Sequence, residues 1–156
     1  MNQIKAGDIL LVEYKIDPLA WCVKALLRDS CNHIAIALNS NLIIENLSGG
    51  TYVKSIDKYR KSIYSVYIIR FNNISRITIT QIITKLLSNV YKRDYLSFLI
   101  NLFSTIFLRR SILTRGELCF NFIGKALCDA GRMQKQDFYV PNDFRQMNDI
   151  TITKLS

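Results

Sequence analysis

The sequence has few of the features that divide a chain into separate parts. It contains only two prolines and six glycines among 156 residues, and no stretch rich in glycine, serine or proline marks a linker. No segment recurs at a fixed period, which excludes a repeat array. Because 49% of the residues are hydrophobic, the chain can bury a substantial core. We therefore expect a single domain over residues 1–156.

The cysteines lack the spacing of a zinc site or a redox-active pair. The four are Cys22, Cys31, Cys119 and Cys128, and no two of them form a C-x-x-C pair. That spacing is typical of zinc sites and redox pairs. Reduced thiols are therefore expected.

A signal peptide and a membrane-spanning segment are also missing from the pattern. Asp8 and Glu13 interrupt the apolar residues near the N-terminus, which has no basic region and no small-residue cleavage site. The longest apolar stretch, 95–108, is shorter than the roughly 18 to 20 residues that cross a bilayer. We expect a cytoplasmic protein in which this stretch is a core or interfacial helix.

Acidic residues are scarce relative to basic ones, and the net charge is +9. Such an excess of basic residues makes nucleic acid, a phosphate-bearing ligand and an anionic membrane candidate partners. The basic residues are scattered, and no recognisable nucleic-acid motif accompanies them, so the pattern argues against nucleic acid. Arg109 and Arg110 follow the apolar stretch directly, and a membrane-proximal protein with an anionic membrane surface as partner remains a candidate.

Short apolar runs and then helical periods organise the rest of the chain. Branched apolar runs predict buried strands, and spacings of three and four predict helices. The predicted strands are 9–12, 42–46, 63–71 and an edge strand at 150–155, together with one in the segment 31–38, where His33 is the first residue of the strand. The predicted helices begin at the Asp17-Pro18 cap, near Ser75, at Asp94 and at Cys119, with a polar segment at 55–61 and a loop ending in 140–143. The outline is an α+β domain, a small mostly antiparallel sheet packed by helices.

Cys119 lies at the opening of the last of these helices. Apolar residues follow it at spacings of three, four, seven and eight, and Gly131 supplies the stop. In the first turn, the unpaired N–H groups and the helix dipole favour a thiolate, the form that attacks a carbonyl carbon. The alternative is a buried cysteine that only fills space.

His33 and Glu45 supply the other groups that a cysteine hydrolase needs. His33 is the only histidine, so a Cys-His mechanism has no other base. Glu45 lies on the next predicted strand, where it could fix the imidazole tautomer. The alternatives are a structural histidine, a solvated glutamate, and Asn46 or a backbone carbonyl as the orienting group.

The order of these segments resembles the permuted NlpC-type papain-like cysteine hydrolases, the group that includes YiiX-like proteins. The likeness covers about residues 5–145. The matching segments are Gly7-Asp8-Ile9-Leu10-Leu11, His33-Ile34-Ala35-Ile36, Ile43-Ile44-Glu45-Asn46, a helix start with Tyr95, Glu117-Leu118-Cys119 and Pro141-Asn142-Asp143-Phe144. One departure is that such families commonly have Cys-Ser-Glu at the nucleophile, where this chain has Cys119-Phe120-Asn121. The substrate contacts that the family makes with the two residues after its nucleophile therefore cannot be assigned to Phe120 and Asn121.

The resemblance implies a circularly permuted papain-like fold and an acyl-enzyme on Cys119, with His33 as general base and Glu45 as its orienting partner. The Cys119 backbone N–H and a second donor would hold the oxyanion. No metal and no organic cofactor is implied. The substrate would be an amide or acyl ester, either a peptidoglycan peptide or a lipid-linked molecule, and the apolar 95–108 stretch favours the second. A catalytically silent binding protein of the same fold and a basic membrane-surface protein are the alternatives.

Overall fold

The computed structural model describes residues 3–16, 18–47, 50–88 and 118–155. Within these ranges the backbone forms an α+β arrangement of six strands, four α-helices and one 3-10 helix. In chain order the elements are β1 (Ile9–Tyr14), α1 (Pro18–Leu27), β2 (His33–Ala37), β3 (Leu42–Leu47), β4 (Gly50–Ser55), the 3-10 helix (Ile56–Arg60), β5 (Tyr64–Phe71), α2 (Arg76–Ser88), α3 (Cys119–Asp129), α4 (Pro141–Arg145) and β6 (Ile150–Lys154).

The six strands form one sheet in the order β4-β3-β2-β1-β5-β6. Every neighbouring pair is antiparallel, which confirms the α+β class and the predicted antiparallel pairing of β2 with β3. The register places Val12 opposite His33, and Ala35 opposite Glu45. His33 and Glu45 therefore project from the same face of the sheet, because side chains two residues apart on a strand share a face.

Both faces of the sheet are covered, which explains the continuous apolar runs in the central strands. Ile9 and Leu11 of β1 pack with the buried residues of α2 and α3, while Leu10 and Val12 face a second cluster. That second cluster includes Ile56 and Tyr59 of the 3-10 helix. A strand buried on both faces loses the alternation of polar and apolar residues seen in half-exposed strands.

Helix α3 begins and ends where the sequence predicts. Cys119 is its first residue, after Leu118 in extended conformation. At the other end, Gly131 has φ 69°. Its N–H donates to the Cys128 carbonyl at 2.9 Å, and the Arg132 N–H donates to the Leu127 carbonyl at 2.8 Å. These two bonds form a Schellman motif, in which glycine adopts the left-handed conformation at low cost.

Two segments differ from the prediction. Residues 50–55, for which the sequence predicted no element, form strand β4. Tyr52 and Val53 are both exposed on this edge strand, so the segment lacks the alternation that predicts a strand. The predicted loop ending at 140–143 is wrong from Pro141 onward, where helix α4 begins with proline as its first residue. Proline suits this position because the first helical N–H has no partner within the helix.

Several expectations fall outside the described residues. These are the Asp17 cap, the helix from Asp94 with its apolar stretch at 95–108, the Arg109-Arg110 pair and Glu117. Helix α2 confirms the helical period predicted from Ser75, and β6 confirms the predicted edge strand.

Candidate active site

Cys119 occupies the first position of α3 and is half-buried. Helix α3 packs on β2, β3 and α2, and its apolar face carries the buried Phe122, Ile123 and Leu127. This packing fixes the helix against the sheet and brings its N-terminus to the strands that carry His33 and Glu45. The thiol therefore lies at the positive end of a buried helix dipole.

His33 is the first residue of β2, and its side chain is 16% exposed. Its Nε2 lies 2.9 Å from Oε2 of Glu45. Burial lowers the pKa of the imidazole, but the charge and hydrogen bond of Cys119, together with those of Glu45, outweigh it and raise the pKa from 6.5 to about 9. With Nε2 bound to Glu45, Nδ1 is the ring nitrogen left for the Cys119 sulfur. The imidazole is thus bound to the carboxylate and interacts electrostatically with Cys119.

Glu45 is fully buried and has partners on both carboxylate oxygens. Oε2 accepts from His33 and from the Tyr59 hydroxyl, and Oε1 accepts from the Lys58 ammonium. Lys54 of β4 lies 3.7 Å from Oε1. Burial raises the pKa of the carboxyl, but the hydrogen bonds and charge of His33, with those from Lys58 and Tyr59, lower it to about 2. Glu45 is therefore a carboxylate at neutral pH.

Lys58 and Tyr59 were not found from the sequence. They lie in the segment 55–61, which reads only as polar, and the 3-10 helix that brings them under Glu45 has no distinctive pattern. Burial raises the pKa of the Tyr59 hydroxyl, and the Glu45 charge raises it further, so Tyr59 is a neutral donor. Burial lowers the pKa of Lys58, against the attraction of Glu45. The Lys58-Tyr59 pair in the middle of this polar segment was the only available signal.

The alternative orienting group, Asn46, projects from the opposite face of β3 to Glu45, because successive strand residues alternate. The two residues after the nucleophile, where this chain departs from Cys-Ser-Glu, are buried. The Phe120 ring packs 6.1 Å from the Phe144 ring, centroid to centroid, and Asn121 Oδ1 accepts the Tyr139 backbone N–H at 2.9 Å. Both side chains thus hold the segment after α3 in place.

The other described cysteines are placed differently from Cys119. Cys31 is fully buried, burial raises the pKa of its thiol, and its sulfur accepts from Arg145 Nη2 at 3.1 Å. Cys128 lies in the last turn of α3 and is half-buried. Among these cysteines, neither Cys31 nor Cys128 contributes to the raised pKa of His33, whereas Cys119 does.

A solved structure shares this fold. The structure described as that of the metalloprotein YiiX from Escherichia coli O157:H7 matches with a TM-score of 0.70 at 11% identity, over 97% of each chain. No protein-family model matches the sequence, and no curated protein matches it. At this identity the likeness shows the fold alone.

The description of YiiX as a metalloprotein prompts a comparison with the residues of this chain. Within the part of the chain that the structure describes, no three His, Cys, Asp or Glu side chains come together in a group that could hold a metal ion. Among the described helices, none has both the length and the apolar character needed to cross a membrane.

Proposed function

We propose that this protein is a papain-like cysteine hydrolase or acyltransferase that acts through an acyl-enzyme on Cys119. The observation that carries the proposal is the hydrogen bond at 2.9 Å between His33 Nε2 and the buried carboxylate of Glu45, on an imidazole that also interacts electrostatically with Cys119 at a helix N-terminus. A cysteine nucleophile needs a base in contact and a group that orients the base. We also propose that the chain has a circularly permuted NlpC-type fold and that residues 1–156 form a single domain.

The raised pKa of His33, about 9, favours an imidazolium at neutral pH. A cation beside the sulfur stabilises a thiolate, as does the helix N-terminus. The thiolate attacks the substrate carbonyl, a carbon–sulfur bond forms, and the carbon–nitrogen or carbon–oxygen bond of the substrate breaks. His33 donates its proton to the leaving group. The neutral imidazole then acts as general base and takes a proton from water or another acceptor, which releases the acyl group.

Glu45 orients the imidazole in this mechanism. Its bond to Nε2 directs Nδ1 to the sulfur, and its charge stabilises the imidazolium. The Cys119 backbone N–H is our candidate for one oxyanion donor. The substrate class is an amide or acyl ester, either a peptidoglycan peptide or a lipid-linked molecule.

The test is alkylation of Cys119 across a range of pH, followed by mass spectrometry. Cys119 should react faster than Cys128 and Cys31 and should stay reactive below pH 7, where an ordinary thiol is protonated. His33→Ala should abolish that reactivity at low pH and leave Cys128 unchanged. Equal reactivity of Cys119 and Cys128, or no effect of His33→Ala, contradicts the enzyme and favours the catalytically silent binding protein. Assays on fatty-acyl thioesters, fatty-acyl esters and muramyl peptides then separate the substrate classes.

A second candidate function, binding to an anionic membrane surface, is supported by two exposed apolar side chains. Ile16 and Trp21 are 65% and 69% exposed, in the segment that joins β1 to β2 at the His33 end of the sheet. Lys24 of α1 pairs with Glu13 at 3.1 Å, which ties the helix to that end. Apolar side chains on a protein of net charge +9 suit an anionic interface.

Trp21 is the only tryptophan and therefore reports on this surface directly. Its fluorescence should shift to shorter wavelength on vesicles rich in phosphatidylserine and not on purely zwitterionic vesicles. Lys15→Gln should weaken the shift, and high salt should remove it. An unchanged spectrum on anionic vesicles contradicts the membrane proposal and leaves the enzyme proposal as it stands.

A further inference from the structure

The Glu45 carboxylate is held by two consecutive residues that contact different oxygens. The Lys58 ammonium donates to Oε1, and the Tyr59 hydroxyl donates to Oε2. His33 shares Oε2 with Tyr59. Because both residues come from one short 3-10 helix, a single structural element sets the rotation of the carboxylate about its Cγ–Cδ bond.

The 3-10 helix is itself firmly anchored. Ser55 Oγ accepts the Asp57 backbone N–H at 3.2 Å, which caps its start. Ile56 and Tyr59 are buried in the second core cluster. The Tyr59 ring meets the Tyr64 ring edge-on, with centroids 5.2 Å apart, and Lys58 Nζ lies 4.4 Å from the Tyr59 ring centroid. The hydroxyl of Tyr59 therefore has little freedom to leave Glu45.

We propose that Lys58 and Tyr59 are positioning residues, which fix the Glu45 carboxylate so that Oε2 faces His33 Nε2. This inference rests on the proposed function, since it assigns roles behind the same imidazole. Neither residue is proposed to touch substrate; each acts through Glu45 on the orientation and charge of His33.

The two residues act by different physical means. Tyr59 is neutral, so its contribution is geometric: rotation of the carboxylate away from His33 would break the hydroxyl bond as well as the imidazole bond. Lys58 carries charge, and it neutralises a buried carboxylate whose other cationic neighbours are the imidazolium and the more distant Lys54. A cation beyond Glu45 also opposes the protonated form of His33, since like charges repel.

The charged and titratable groups around His33 come from several elements. Cys119 of α3 and Glu45 of β3 act on the imidazole directly, and the Tyr59 ring of the 3-10 helix lies 6.3 Å from it, centroid to centroid. Lys54 of β4 and Lys58 act through Glu45, and Tyr64 of β5 lies within the electrostatic range of Glu45. Among these, Lys58 is the cation in direct hydrogen-bond contact with the carboxylate, so its removal should have the largest effect.

Because His33 is the only histidine, one imidazole resonance reports on it in the NMR spectrum of the whole protein. The test compares its titration in the wild-type chain, Lys58→Met, Lys58→Arg and Tyr59→Phe, and measures the alkylation rate of Cys119 in each. A matched control is the Lys154–Tyr67 pair, which has the same kind of cation–π contact at 6.0 Å on the other side of the sheet. Lys154→Met and Tyr67→Phe should leave both readouts unchanged.

Lys58→Met should displace the His33 titration to higher pH, because a repelling cation is lost, and Lys58→Arg should restore it.

Tyr59→Phe keeps the ring but not the donor, and it should slow Cys119 alkylation about tenfold, the factor typical of a hydrogen bond to a charged group. Circular dichroism checks that each variant is folded, and the isosteric Tyr59→Phe and the charge-keeping Lys58→Arg remain informative should Lys58→Met not fold.

Wild-type titration and wild-type alkylation in both Lys58→Met and Tyr59→Phe would overturn the proposal. The proposed function fails by a separate result, namely alkylation of Cys119 that is insensitive to His33→Ala. In that case the His33 titration alone still decides whether Lys58 and Tyr59 position the imidazole through Glu45.

Discussion

The Tyr139 ring lies directly over Gly124 of the cysteine helix. A Cβ atom built on Gly124 would come within 2.4 Å of the ring carbon Cγ and 2.5 Å of Cδ2. Tyr139 is 1% exposed. Its backbone N–H donates to Asn121 at 2.9 Å, and its hydroxyl donates to the Gln134 carbonyl at 3.1 Å. The ring is thus held in place and cannot easily give way.

Gly124→Ala should therefore destabilise the protein by at least about 2 kcal/mol, the range of overpacked cores. Chemical denaturation measures the free energy of unfolding. Gly131→Ala is the matched control: no atom lies within 4 Å of the added Cβ, and the cost of about 1 kcal/mol comes from its positive φ alone. A smaller loss for Gly124→Ala than for Gly131→Ala would show that Tyr139 moves aside.

Asp8 and Arg70 form a second structural contact that can be tested. The Asp8 side chain is 2% exposed, and its oxygens accept from Arg70 Nε at 2.8 Å, from Arg70 Nη2 at 2.6 Å and from the Lys5 backbone N–H at 2.8 Å. Asp8→Asn removes the charge from a bidentate pair and should cost about 2 to 3 kcal/mol of unfolding free energy. Asp57→Asn, in an exposed pair with Arg60, should cost less than about 0.5 kcal/mol. Similar losses would show that burial of Asp8 does not matter.

Glu45→Gln should lower the pKa of His33 and slow alkylation of Cys119, because the imidazolium loses its buried counter-charge while the shape of the side chain is kept. The His33 NMR titration and the Cys119 alkylation rate measure the two effects. The control is Glu13→Gln, whose half-buried carboxylate pairs with Lys24. An unchanged titration in Glu45→Gln would remove Glu45 from the proposed mechanism.

The stability of the protein should fall as the pH rises towards 9, to an extent that depends on His33. Its pKa is raised from 6.5 to about 9 in the folded chain. A raised pKa contributes stability that is fully present below pH 6.5 and is lost as the pH rises through 9, up to about 3 kcal/mol. Unfolding free energies of the wild-type chain and of His33→Asn should therefore converge between these values. Curves that stay parallel over this window would contradict the raised pKa.

The stability that Glu45 contributes has the opposite dependence on pH to that of His33. Its pKa is lowered from 4.5 to about 2, so its contribution is present above pH 4.5 and is lost as the pH falls through 2. Acid denaturation of the wild-type chain, compared with Glu45→Gln, measures this. The difference between the two should disappear at the acid end, and a constant difference would argue against a buried carboxylate.

Local patterns predicted the elements that carry Cys119, His33 and Glu45. The spacing after Cys119 located the start of α3, and Gly131 located its end. Strand alternation and a tight connection placed His33 and Glu45 on paired strands, because side-chain direction follows directly from residue number along a strand. The contact between Glu45 and His33 could be inferred for this reason.

The rest depended on packing between distant segments. No local rule indicates that the polar segment at 55–61 folds under Glu45, since Lys58 and Tyr59 reach it only through the 3-10 helix and the burial of Ile56. Strand β4 pairs with β3 through its backbone, although Tyr52 and Val53 are exposed. The alternation rule therefore fails on an edge strand whose two faces are both partly open.

The order of the segments along the chain has a consequence for synthesis on the ribosome. The imidazole and the carboxylate belong to strands that emerge first, and the thiol belongs to a helix that emerges after β5 and α2. Nascent chains that end before Leu118 therefore contain the acid–base pair without the sulfur that it would activate. In the proposed mechanism the reactive centre would form only when a late helix docks on an early sheet, and the growing chain would not form an acyl-enzyme on Cys119 before then.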